Sequence, residues 1–158
     1  MSLVAIDLDE WMAVMAQAAG DIARGALGWP GCQVSDEPCV PAPTCGAYVP
    51  LIDHGAQLQI GLVADDEGCQ LLARALLGLS EGEPPVPPAD VADAVGEIVN
   101  MLAGGLKRRM QGRIGSLVLG LPIFIRGYVE ATEKLEIARA RVQLGPVTAL
   151  ALVLRHRV

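Results

Sequence analysis

Aromatic residues are scarce in this chain, with two Trp, two Tyr and one Phe among 158 residues. Its core must be built from aliphatic side chains, and the 52% hydrophobic fraction is largely Ala, Leu and Val. No uncharged apolar run reaches the ~18 residues that a membrane span requires. The first residues lack a basic stretch followed by an apolar one, so no secretory leader is expected and a cytoplasmic setting is. Positive charge is also in deficit, with 12 Lys and Arg against 18 Asp and Glu and a net charge of −6. A nucleic-acid binder needs a basic face that displaces counterions, so that class is excluded, and nothing suggests a membrane partner. Paired catalytic carboxylates, a Ser-His-Asp set and a phosphate-cradling glycine loop are all missing, which argues against a conventional small-molecule enzyme. A chain of this length fits one domain, 1–158, with room for a proper core.

Cysteines are present without the spacing of a metal site. Cys32, Cys39 and Cys45 fall in "GCQVSDEPCVPAPTCG" with six and five residues between them and no Cys-x-x-Cys pair. Zinc knuckles bring paired ligands two to four residues apart. No resident metal and no stable disulfide is expected here. A metal- or redox-linked role for the loop is the weaker alternative. Cys69 sits in an apolar helical pattern and reads as a buried side chain.

Periodicity defines the elements. Leu8 to about Leu27 is helical, with Trp11, Val14, Met15, Ala18 and Ile22 at three- and four-residue spacing, Asp7 as N-cap and "GWPG" as the stop. Residues 30–46 lack a hydrophobic period and read as a loop. "AYVPLID" and "AQLQIGLVA" read as strands joined by a turn at His54-Gly55. "DDEGCQLLARALLGL" is a short helix with acids in its first turn, and "SEGEPPVPPAD" is an internal linker. After Gly112 strands return. "SLVLGLPIFIRGYVE" is broken at Pro122 and Gly127, and "KLEIARARVQL" and "VTALALVLRHRV" form a hairpin about Gly145-Pro146. The last strand is apolar at both parities, which requires cover on both faces or pairing across an interface. His156 in its tail is assigned no role. Sequential, hairpin-linked strands with helices predict an α+β fold, an antiparallel sheet flanked by helices.

The informative stretch is the long helix "ADVADAVGEIVNMLAGGLKRRM", Ala89 to Met110. On a wheel at about 100° per residue, Val91, Val95, Ile98, Leu102 and Leu106 share an arc of about 80°. Asp93, Glu97 and Asn100 cluster within about 60° on the opposite side. Spacing alone is satisfied by an ordinary solvated face. Gly104, on the same outer stripe one turn beyond Asn100, is harder to explain that way. A helix-interior glycine costs about 1 kcal/mol relative to alanine and leaves backbone open to close approach. The stripe continues to Lys107. "LKRRMQGR" (Leu106 to Arg113) reads first as a cationic helix end complementing the macrodipole, and second as a contact for an acidic partner.

Asp93-x3-Glu97-x2-Asn100, followed after 21 residues by Pro122, resembles the signature of the CheC/CheX/FliY chemotaxis phosphatases. "GEIVNMLAGGLKRRM" is similar to the corresponding CheX helix, and the order of elements is similar over most of the chain. Two-motif members repeat the pattern in their first half, where this chain offers Asp9-x3-Ala13-x2-Ala16. It resembles the single-motif CheX type in this respect. Gly105 stands where CheX-like sequences often carry asparagine.

The resemblance implies a CheC/CheX-like α/β sandwich and a substrate, the aspartyl phosphate of a CheY-like response regulator. It implies that the regulator supplies Mg²⁺, that the protein needs no cofactor of its own, and that the chain forms a homodimer. Asn100 would hold the attacking water, since a carboxamide both donates and accepts without changing charge. Glu97 would pair with a lysine near the receiver's phosphorylation site. Asp93, Gly104 and Lys107 would form the docking face, and Pro122 would shape the strand start beneath the helix. The alternative is a docking module for a receiver or motor-switch protein that hydrolyses nothing.

Overall fold

The computed structural model describes residues 1–35, 44–127 and 129–157. Among these are three α-helices and seven strands: α1 (Leu8–Gly25), β1 (Cys32–Ser35), β2 (Cys45–Asp53), β3 (Ala56–Ala64), α2 (Asp66–Leu77), α3 (Pro88–Met110), β4 (Val118–Leu119), β5 (Ile123–Arg126), β6 (Leu135–Leu144) and β7 (Val147–His156). The fold is α+β. The strands make one antiparallel sheet in the order β1-β6-β7-β3-β2-β4, and β5 pairs with β2.

Alternation along the strands assigns each face of the sheet. Ala47, Val49 and Leu51 of β2, Leu58, Ile60 and Leu62 of β3, and Val147, Ala149, Ala151 and Val153 of β7 join the main core with the helices. Their neighbours Tyr48, Val63, Leu150, Leu152 and Leu154 form a second apolar cluster, against which Ile125, Val129, Leu135 and Ile137 pack. The double-parity pattern of the last strand thus has its reason. β7 lies between β6 and β3 and is covered on both faces.

The ends of the helices follow local chemistry. Asp7 occupies the N-cap of α1, but its side chain makes no capping bond; its backbone carbonyl accepts from the Glu10 and Trp11 N–H groups. The Asp65 carboxylate caps α2 by accepting from the Gly68 N–H at 2.7 Å, and Gly78 at φ 68° closes the helix in the left-handed conformation. The linker that follows is tied down from α2. Gln70 exchanges two hydrogen bonds with the Val86 backbone (2.7 and 3.1 Å), and the Arg74 guanidinium donates to the carbonyls of Ser80, Glu83 and Pro84. This fixes the entry of the chain into α3, which opens at Pro87-Pro88, with proline at its first position as helices favour.

One segment departs from the sequence expectation. Residues 30–46 are not all loop, because Cys32–Ser35 form edge strand β1, paired antiparallel with Leu144–Arg141 of β6. Four residues whose middle pair is exposed carry no readable alternation, and the pairing comes from backbone bonds that β6 offers. Cys45 is not loop either: it begins β2. Cys39 lies outside the described residues.

Candidate functional site

Helix α3 is the central helix, packed on β2 and flanked by α1 and α2. Its apolar arc is anchored as the wheel predicts, with Val91, Val95, Ile98, Leu102 and Leu106 all buried. Asp93 and Glu97 are exposed on the other side, and Asn100, Gly104 and Lys107 on the same stripe are half-buried. At 1.5 Å per residue, Asp93 to Asn100 spans about 10 Å along the axis, and Glu97 and Asn100 are offset by about 4.5 Å. An acid and an amide therefore face outward together from a rigid element.

Pro122 is brought to this stripe. A β-carbon built on Gly96, the residue before Glu97, would lie 3.5 Å from Pro122 Cβ and 3.8 Å from its Cγ. The proline ring thus rests on bare helix backbone immediately before β5, beside the acid–amide pair. Gly96 is the residue sequence reading passed over. Its signal was a glycine inside a helix, which is costly unless something approaches the backbone.

The two glycines after Asn100 have different surroundings. A β-carbon on Gly104 would meet only the Arg108 guanidinium, at 3.5 Å, so this backbone is open on the stripe. Gly105 is buried, and a β-carbon there would lie 3.0 Å from Ala18 Cβ of α1. The departure from the CheX-like asparagine therefore belongs to helix packing, not to the outer surface.

The basic end of α3 divides similarly. Arg109 donates to the Asp21 carboxylate and Arg113 to that of Glu10, tying the end of α3 to α1. Arg109 also donates to the Gly105 carbonyl one turn earlier in the same helix, at 3.3 Å. Lys107 and the exposed Arg108 stand on the outward side. On α1, the positions matching the motif hold Asp9 and Ala13, both exposed, and a half-buried Ala16, so no second acid–amide pair exists there.

The stripe lines none of four surface cavities of between about 260 and 420 Å³. Among the described residues, no group of three or more His, Cys, Asp or Glu is placed to hold a metal ion, and no helix is long and apolar enough to cross a membrane. What α3 offers is a convex edge bearing an acceptor, an amide and a stretch of open backbone.

The family model of the chemotaxis phosphatase CheX matches residues 46–140, which include α3 and Pro122. The chain belongs to the CheX family. Similar solved structures include CheX from Borrelia burgdorferi in a CheX–CheY–BeF₃–Mg²⁺ complex, with TM-score 0.70 and 15% identity over 94% of this chain and 98% of that one. CheX from Vibrio vulnificus gives TM-score 0.69 and 16% identity, covering 92% of this chain and 97% of that one. FliY from Thermotoga maritima shares the fold at TM-score 0.58 and 15% identity, covering 96% and 91% of the two chains. No curated protein matches the chain at the sequence level. The likeness to CheX at these identities is one of fold, and the α+β sheet with its helices is the CheX architecture.

Proposed function

We propose that this CheX-family chain, acting as a single domain over 1–158, is a phosphatase for the aspartyl phosphate of a CheY-like response regulator. The observation that carries this reading is the outward pairing of Glu97 and Asn100 on α3, with Pro122 seated against the same helix. Membership of a phosphatase family supports it, as does the existence of a CheX–CheY–BeF₃–Mg²⁺ complex for the Borrelia burgdorferi relative.

The reaction is one that a receiver performs slowly by itself. The receiver holds the phosphoryl group and the Mg²⁺ that neutralises its oxygens. Phosphoryl transfer needs little covalent help from a catalyst, and positioning and electrostatics supply most of the acceleration. A convex helix edge suits that task, because α3 inserts into the partner's cleft and needs no pocket of its own. Asn100 holds the attacking water in line, using its carbonyl as acceptor and its NH₂ as donor. It does not act as a general base. Glu97, one turn earlier, pairs with a receiver lysine and sets the docking register. Asp93, Gly104 and Lys107 complete the face. Fixing one water accounts for about 100-fold, or ~2.7 kcal/mol off the barrier. The protein acts in the cytoplasm as a homodimer.

The docking-only alternative rests on Gly105 and on the missing motif in the first half of the chain; Gly105, buried against Ala18, adds little to it. The two readings separate on a receiver phosphorylated by a small phosphodonor. Substoichiometric protein should release phosphate over many turnovers, and Glu97→Ala should raise KM by an order of magnitude or more. Binding that depends on phosphorylation, with no change in phosphate lifetime, would select docking alone.

A further inference from the structure

Cys45 and Cys69 are 24 positions apart in sequence, yet their Sγ atoms lie 3.2 Å from each other. Cys45 opens β2 and Cys69 lies in α2, so the contact joins the sheet to a helix. Both side chains are buried, but both also line a surface cavity of about 260 Å³. Asp66 and Arg126 line the same cavity and pair with each other at 3.3 Å. The Asp66 carboxylate also accepts from the Cys45 thiol at 3.5 Å. A small oxidant therefore has a route to a thiol whose partner is already in contact.

We propose that Cys45 and Cys69 form a dithiol modification site, which a hydroperoxide closes to a reversible disulfide between β2 and α2. The Cys45 sulfur attacks the peroxide, forming an S–O bond as the O–O bond breaks and an alcohol or water leaves. The Cys69 sulfur then attacks the sulfenic sulfur, forming the S–S bond as the S–O bond breaks and water leaves. In sum, two thiols and one hydroperoxide give one disulfide, one alcohol or water, and one further water. Bond formation brings the sulfurs from 3.2 Å to about 2.05 Å, a small approach for two side chains already facing each other. Burial pushes both thiols above their ordinary range. The pair consequently stays reduced toward mild oxidants and reacts slowly. Closure ties α2 to the sheet and leaves the outer stripe of α3 unmodified.

The test is to reduce the 158-residue chain, desalt it, treat it with hydrogen peroxide and map its disulfides by non-reducing proteolysis and mass spectrometry. The expected product is a monomer-linked Cys45–Cys69 peptide pair with two hydrogens lost, reversed by dithiothreitol. It should be accompanied by a Tm increase of about 5–10 °C. The same linkage should form when Cys32 and Cys39 are both replaced by serine, and should be absent in Cys69→Ser. Bridges to Cys32 or Cys39, bridges between chains, or peroxide oxidation of Cys32 with Cys45 and Cys69 left as thiols would each overturn the proposal.

Discussion

At the scale of single residues, the two consecutive glycines of α3 separate surface from packing. Gly104 has only the tip of the exposed Arg108 side chain beside it, at ordinary contact distance, whereas Gly105 lies under Ala18. Gly104→Ala should therefore stabilise the fold by about 0.5–1 kcal/mol, the helix propensity gain with no steric penalty. Gly105→Leu should destabilise it by about 1–3 kcal/mol through overpacking against α1. Urea unfolding reads both, and effects of the same sign would show that this account of α3 is wrong. The residue scale is also where sequence reading fell short. The Asp93, Glu97 and Asn100 pattern was legible because helical period alone opposes it to the apolar arc. The seating of Pro122 on Gly96 was not, since it joins two elements and has no local signature.

At the scale of elements, α3 is a scaffold with its two sides given different work. The inner side holds α1, β2 and α2 together, and the outer side bears the acid, the amide and the bare glycine. This division predicts that truncating the outer side chains changes activity with little effect on stability. Glu97→Ala and Asp93→Ala should leave the unfolding free energy from urea titration within about 0.5 kcal/mol of the parent, as for surface changes generally, while weakening action on the receiver. A loss of several kcal/mol in either variant would mean that the stripe is structural. The helices and the long strands were readable because each repeats its period over many residues. β1 was not, because a four-residue edge strand owes its conformation to the backbone of β6 rather than to its own pattern. The basic end of α3 was only half readable. Charge beside the helix terminus was evident, but the ties from Arg109 to Asp21 and from Arg113 to Glu10 depend on how α1 lies against α3.

Across the whole molecule, a buried carboxylate joins three distant parts of the chain. Asp53, at the end of β2, accepts from the Ser116 hydroxyl at 2.5 Å and from the Leu3 N–H at 3.4 Å. The Ser116 hydrogen bond holds its carboxyl below the ordinary 3.8, with Leu3 contributing, against the opposing effect of burial. A carboxyl lowered on folding adds stability that is complete above its unfolded pKa and is lost as pH falls through the folded value. Unfolding midpoints should therefore drop below about pH 4, and Asp53→Asn should flatten that acid limb. An acid limb of unchanged slope in the variant would remove Asp53 from the account. The two-faced sheet was legible at this scale from the double-parity apolar pattern of β7, although sequence could not choose between cover within the chain and pairing between chains.

The central claim is that one amide on α3 positions the water that attacks the receiver's phosphoryl group. The most direct measurement is the decay of a phosphorylated CheY-like receiver at saturating protein, with the parent chain and with Asn100→Ala. The account predicts that Asn100→Ala still binds the phosphorylated receiver, keeps its fold, and loses about 100-fold in decay rate. Decay as fast as with the parent chain would contradict it.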